Sequence, residues 1–208
     1  TVRQHMKKLI LTLIILTSLS VSAQKRTKIF FEDIVECFYS NKATESISIY
    51  NNPNENKIAE LSALTKSHCW YKFAISESKD NWLKIENIIV LPACEDNELN
   101  SDIGKYKGKW IKAENLKVNI GHSGETKVDC LKDKTDKGFV ESGYRFYSEP
   151  TTNSEIAFCV KGYVESELIA VNGTWAKLKI KYDGKLYIGW IQKNYQCAYP
   201  WTTCPVYE

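Results

Sequence analysis

Residues 175–192, WAKLKIKYDGKLYIGWIQ, decide the fold. Two alternating runs flank Asp183-Gly184, a pair that favours the two-residue hairpin turn in which both central residues take positive φ. That turn fixes the register: Tyr182 opposite Lys185, Ile180 opposite Tyr187, Leu178 opposite Gly189 and Ala176 opposite Ile191. Side chains paired across strands share a face, so this face is apolar and meets a core. The other face carries Trp175, Lys177, Lys179 and Lys181 against Gln192, Trp190, Ile188 and Leu186. Two tryptophans lie diagonally on it among lysine stems.

Outward from the hairpin, the chain reads as short strands separated by turns. The runs at 35–38, 47–50, 58–64, 69–75 and 82–89 are apolar or alternating, and a polar insert rich in Asp, Asn and Glu occupies 95–102. No long helical periodicity is present, so the fold class is all-β, a barrel or a sandwich.

The second half repeats the first. Val35-Glu36-Cys37-Phe38 aligns with Val128-Asp129-Cys130-Leu131, and Ile49-Tyr50-Asn51-Asn52-Pro53 with Phe146-Tyr147-Ser148-Glu149-Pro150. Ile58-Ala59-Glu60-Leu61 aligns with Ile156-Ala157-Phe158-Cys159, which puts Cys159 at a Leu-like core position. Asn81-Trp82-Leu83-Lys84-Ile85 matches Thr174-Trp175-Ala176-Lys177-Leu178. Trp110-Ile111-Lys112 matches Trp190-Ile191-Gln192, and Asn115-Leu116 matches Asn194-Tyr195. Six landmarks in one order mark two modules, the hairpin of the first opened by the insert.

The ordered pattern resembles the bacterial SH3-like domain family, most closely at Tyr147-Ser148-Glu149-Pro150, Thr174-Trp175-Ala176-Lys177-Leu178 and Gly189-Trp190-Ile191. The first copy departs from it with Lys109 in place of the Gly before Trp. The resemblance implies two tandem SH3-like small β-barrels: domain 1 over 24–118 with an insert near 92–107, a linker over 119–126, and domain 2 over 127–208. It also implies a secreted protein of a kind often appended to wall hydrolases, with peptidoglycan or its peptides among the ligands. Fold analogy carries function only weakly.

From Met6, MKKLILTLIILTSLSVSAQ reads as a secretory signal peptide: Lys7 and Lys8, an apolar stretch, then Val21-Ser22-Ala23 as the cleavage site. The expected leader is 1–23, and the apolar run is short of the ~20 residues that a membrane span needs. The chain holds 28 Lys and Arg and 25 Asp and Glu. The leader takes Arg3, Lys7 and Lys8 with it, leaving 25 basic against 25 acidic residues. No single-sign field then remains to attract nucleic acid or an anionic membrane. The expected location is periplasmic or extracellular.

Seven cysteines in an exported chain argue for at least one disulfide. Cys197 and Cys204 flank a loop that suits a clip, and a competing pairing joins Cys130 to either of them. The odd count leaves at least one thiol unpaired or paired between chains.

Catalytic constellations are not found. Outside the leader the histidines are His68 and His122. Asp129-Cys130 resembles the Asp-Cys of wall cysteine peptidases, but no Ser-Gly follows and Cys130 has a repeat counterpart in Cys37. Gly121-His122-Ser123-Gly124 has its second Gly one position early for a nucleophile elbow. No Cys-x-x-Cys or paired-His spacing marks a metal, and Glu95, Asp96, Glu98 and Asp102 lack the Gly-bearing spacing of a Ca²⁺ loop, so a solvated loop is the simpler reading. No cofactor and no enzyme activity are expected.

Aromatic surface remains. Trp175 and Trp190, with Trp82 and Trp110 in the other copy, fall on the face opposite the apolar stripe, and Tyr50, Tyr147 and Trp201 border it. The bland alternative is that a bent barrel strand turns both faces inward. The functional reading is a platform for a wall peptide, peptidoglycan or a protein segment. A periplasmic interaction module (inhibitor, immunity or assembly factor) using the 95–102 insert or the C-terminal loop is the alternative.

Overall fold

The computed structural model describes residues 31, 33–39, 46–64, 69–91, 97–121, 129–131 and 140–200, with the backbone alone at 129–131 and 140–142. The expected leader, most of the linker, His68, His122, Trp201, Cys204 and the Cys130 side chain fall outside it. The strands are β1 (Val35–Tyr39), β2 (Ile47–Tyr50), β3 (Lys57–Leu61), β4 (Trp70–Lys79), β5 (Trp82–Leu91), β6 (Trp110–Lys112), β7 (Leu116–Ile120), β8 (Asp129–Leu131) and β9 (Val140–Ser142). β10 (Tyr144–Tyr147), β11 (Ile156–Val160), β12 (Val164–Asn172), β13 (Trp175–Tyr182), β14 (Lys185–Ile191) and β15 (Gln196–Cys197) follow. Two single-turn 3₁₀ helices, Glu98–Asn100 and Lys193–Tyr195, complete the elements. No helix among the described residues is long and apolar enough to cross a membrane.

Thirteen strands form one antiparallel sheet in the order β11-β10-β14-β13-β12-β7-β1-β4-β5-β6-β2-β3, with β15 also on β7, while β8 and β9 pair separately. The sheet ends on β3 and β11 and is not closed by hydrogen bonds. The fold is therefore all-β, but the two halves are one continuous sheet. β7 joins them, pairing with β1 on one side and β12 on the other. Asn119 and Ile120, expected to open the linker, are the end of that strand, opposite Glu165 and Val164.

The opening hairpin has the register its turn dictates. Ala176, Leu178, Ile180 and Tyr182 face Ile191, Gly189, Tyr187 and Lys185. Asp183 and Gly184 have φ of 51° and 74°. Ala176, Leu178, Ile180 and Ile191 are fully buried in a core that also holds Phe73, Ile85 and Val118 from the first half. A Cβ at Gly184 meets no neighbouring atom but must sit at left-handed φ. Gly184→Ala is accordingly expected to cost about 1–2 kcal/mol of stability in a urea titration.

The repeat is visible in the pairing. β3-β2-β6-β5-β4 and β11-β10-β14-β13-β12 run in the same order, with single bridges Tyr50↔Trp110 and Tyr147↔Trp190 at matching places. A register shift falls between Ile49 and Tyr50 in one half and between Phe146 and Tyr147 in the other. These bulges correct one alignment. Phe146 faces Phe158 as Ile49 faces Ala59, so Cys159 corresponds to Glu60 and the Leu61 position belongs to Val160. A slip of one residue changes the face, and Cys159 is half-buried where Val160 is fully buried. The Val35/Val128 landmark also parts company: β1 lies beside β4, but the place beside β12 is taken by β7, and β8 pairs with β9 in a separate two-stranded sheet.

The insert is more than a solvated loop. Leu99 is buried, the Val90 N–H donates to Asn100 Oδ1 at 3.1 Å, and the Ile88 N–H donates to the Ile103 carbonyl at 2.9 Å. Cys69, Cys159 and Cys197 are disulfide-bonded, and Cys37 is a free buried thiol.

The halves are also fastened by charge. Glu36 on β1 accepts from Lys72 Nζ of β4 at 2.5 Å and from Lys193 Nζ, in the second 3₁₀ turn, at 3.0 Å. All three are buried, because residues 193–199 cross the outer side of β1 and β4. There Tyr199 and Cys197 pack with Ile89 and Leu91, and Lys72 Nζ lies 5.5 Å from the centre of the Tyr199 ring. Burial holds both lysines below the usual lysine value, against the pull of Glu36.

Candidate aromatic binding surface

Alternation along β13 and β14 puts Trp175, Lys177 and Trp190 on the side of the sheet away from the core. Lys177 and Trp190 are opposite one another, and Lys177 Nζ lies 5.7 Å from the centre of the Trp190 ring. Trp175 meets Tyr147 edge-on, with ring centres 5.5 Å apart and planes at 86°. Both tryptophans are half-buried. Each ring is thus held by Tyr147 or a lysine stem and stays partly exposed. Edge-on aromatic contacts and a cation over a ring orient the side chains at little entropic cost.

The first half repeats this geometry but closes it. Tyr50 meets Trp82 edge-on at 4.8 Å and 84°, while Lys84 lies over Trp110 at 5.5 Å and Lys112 over Trp82 at 5.9 Å. Trp82 and Trp110 are only 7% and 6% exposed. The expectation of an open tryptophan surface in both copies is corrected: both rings are buried in the first, Trp82 under Tyr50 and Lys112. Tyr147 is buried too, a support for Trp175 and not a contact surface, whereas Tyr50 is half-buried.

Toward the hairpin tip lies a groove of about 620 Å³ at β7, β12, β13 and β14, lined among others by Lys117, Tyr163, Glu167, Lys181 and Leu186 and by neither tryptophan. Sequence reading missed it, because it lies where strands from the two halves meet across β7. Lys117 pairs with Glu165 at 3.2 Å and Lys179 with Glu167 at 2.7 Å. Burial, reinforced by Glu165, pushes the Tyr163 hydroxyl up to about 12, so it is a protonated donor at neutral pH. Asn119 Nδ2 donates to its oxygen at 2.5 Å.

Cys37, aligned with Cys130 in the sequence but not in the sheet, faces the core. Burial foremost and the neighbouring Glu36 push its thiol far above the usual value, so it is no nucleophile at neutral pH. Among the described residues, no group of three His, Cys, Asp or Glu is arranged to hold a metal ion.

No family model and no curated protein matches the chain. Among solved structures, NlpC2 from Trichomonas vaginalis is similar over 80% of this chain and 49% of its own, at 14% identity and a TM-score of 0.29. NlpC1 from the same organism is similar over 82% and 47%, at 13% identity and a TM-score of 0.28. The chain spans about half the length of each, and likeness of this degree establishes neither fold nor activity.

Proposed function

We propose that this is an exported, non-catalytic binding protein built from two SH3-like units, which takes a cell-wall peptide or another extended peptide segment on the outer face of its second half. The observation that carries the reading is the half-open pair Trp175 and Trp190. They are steadied by Tyr147 and Lys177, and lie on the same outer face as the groove. Rigid, partly exposed aromatic side chains are the residues that commonly anchor peptides and sugars. The unequal exposure of the two copies supports binding by the second half and packing by the first.

Trp175→Ala and Trp190→Ala are expected to stay folded and to lose pull-down on isolated cell wall. Single anchor residues of this kind commonly contribute about 2 kcal/mol or more, roughly thirty-fold in affinity. A folded Trp175→Ala protein that binds as the unaltered chain does would refute the reading.

A further inference from the structure

Cys159 is disulfide-bonded, and the layout of the strands selects its partner. Cys37 is a free thiol in the core. Cys69, just before β4, and Cys197, on β15 beside β7, are remote from β11. Four strands separate β11 from β7 in the sheet, and β4 lies two further on. β11 itself packs against β10 and β14. Neighbouring strands are about 4.8 Å apart, whereas the Cα atoms of a cystine lie within about 7 Å of each other. Neither cysteine reaches Cys159. The others are Cys94, Cys130 and Cys204.

Chain reach removes two of these. Cys94 comes three residues after Leu91, which pairs with Trp70 next to Cys69. Cys204 comes five residues after Tyr199, which packs with Ile89 and Leu91 of β5. Seven strands separate β5 from β11, and three or five residues of extended chain span no more than about 11 or 18 Å. Cys130 is placed differently. It is on β8, which lies against β10, and β10 is the strand that pairs with β11. Cys159 stands opposite Arg145 of β10, on the face that alternation turns away from the core residues Phe146 and Val160.

We infer that Cys159 is joined to Cys130, in place of a bond from Cys130 to Cys197 or Cys204. The cross-link ties the β8–β9 ribbon, which shares no ladder with the main sheet, to the end of that sheet. A two-stranded ribbon is marginal by itself, and a covalent tie also restricts the unfolded chain. Forming the bond takes two protons and two electrons from the two thiols, and a disulfide-carrying oxidant accepts them by thiol–disulfide exchange. The consequence for chemistry is direct. Asp129-Cys130 is the pair that resembles the nucleophile of a wall cysteine peptidase, and a sulfur held in a cystine has no thiolate with which to attack. The inference is independent of the tryptophan surface and closes this route to catalysis.

The test is a peptide map of the full chain purified without reductant, its free thiols alkylated in denaturant before digestion. Trypsin cuts after Lys127, Lys132, Arg145 and Lys161, so Cys130 and Cys159 fall in the separate peptides 128–132 and 146–161. The expected map shows these two peptides joined until reduction, with the alkyl label on Cys37. A 146–161 peptide joined to any other cysteine peptide overturns the inference, and so does a label on Cys130 or Cys159. Single variants give a second reading. Cys159→Ser should free Cys130 for alkylation, Cys130→Ser should free Cys159, and the double variant should be no less stable in urea than either single one. Losses that add in the double variant would overturn the cross-link as well.

Discussion

Glu36→Ala is expected to lower the free energy of unfolding by about 3–5 kcal/mol, the usual consequence of leaving buried charges without their partner. Glu36 is the carboxylate between Lys72 and Lys193, at 2.5 and 3.0 Å, and one of those lysines comes from the opposite end of the chain. Removing it leaves two ammonium groups under the 193–199 segment. Replacing the whole cluster, with Glu36→Leu, Lys72→Met and Lys193→Met together, should recover most of the loss, since an apolar cluster of similar volume needs no desolvation of charge. A loss below about 1 kcal/mol for the single variant, the level of an exposed pair, would contradict this account.

The same cluster sets a pH dependence. Lys72 and Lys193 sit below the ordinary 10.5, chiefly through desolvation. In the window from their lowered values up to about 10.5 the unfolded chain binds protons that the folded one does not, so stability rises with pH there. Cys37 and Tyr199, whose acid forms burial favours, work in the opposite direction above 9.0 and 10.0, their ordinary values. The lysine contribution is therefore read as the difference between the unaltered chain and Lys193→Met. The unaltered chain should gain more stability on going up through that window, and identical slopes would remove the lysines from the explanation.

Gly189→Ala is the second large effect, expected to cost about 1–3 kcal/mol from overpacking. A Cβ at Gly189 falls 2.8 Å from Phe158 Cε1 and 3.1 Å from Phe146 Cβ. Phe158 stacks on Phe146, with ring centres 4.5 Å apart and planes within 10°, and it leans on Tyr187 at 5.0 Å. The ring has little freedom to retreat. In the first half Ala59 takes the place of Phe158, and Lys109 the place of Gly189. Lys109 keeps the backbone bond, its carbonyl accepting from the Ile85 N–H at 2.8 Å. The first half thus has a side chain at 109 where its neighbour Ala59 is small, and the second has none at 189 where Phe158 is large. It follows that Gly189→Ala should be far less costly in a Phe158→Ala background, and an equal cost in both backgrounds would show that the contact is not the cause.

Much of this architecture is legible in the residues. The register of β13 and β14 follows from period-two alternation and a turn whose two central residues need positive φ. The duplication follows from landmarks in common order. Other features leave no local trace. Nothing in 116–120 says that this strand lies between β1 and β12, because alternation specifies a face and not a neighbour. The extra residue at the β10–β11 bulge shifts the count by one and moves Cys159 off the core position. Glu36 and Lys72 alternate with apolar residues and read as a solvated face, and only a segment 157 positions later covers them. The tryptophans show the limit most clearly. Trp82 and Trp175 stand in matching sequence contexts, yet one is closed by Tyr50 and Lys112 and the other is open.

That difference in exposure underlies the functional reading, and it can be read in solution. The indole N–H resonances of Trp82, Trp110, Trp175 and Trp190 would be followed in a nitrogen–proton correlation spectrum of the full chain as soluble wall-peptide fragments are added. The account predicts that Trp175 and Trp190 shift in a saturable way while Trp82 and Trp110 stay in place. Shifts confined to Trp82 and Trp110, or four resonances that do not move, would contradict it.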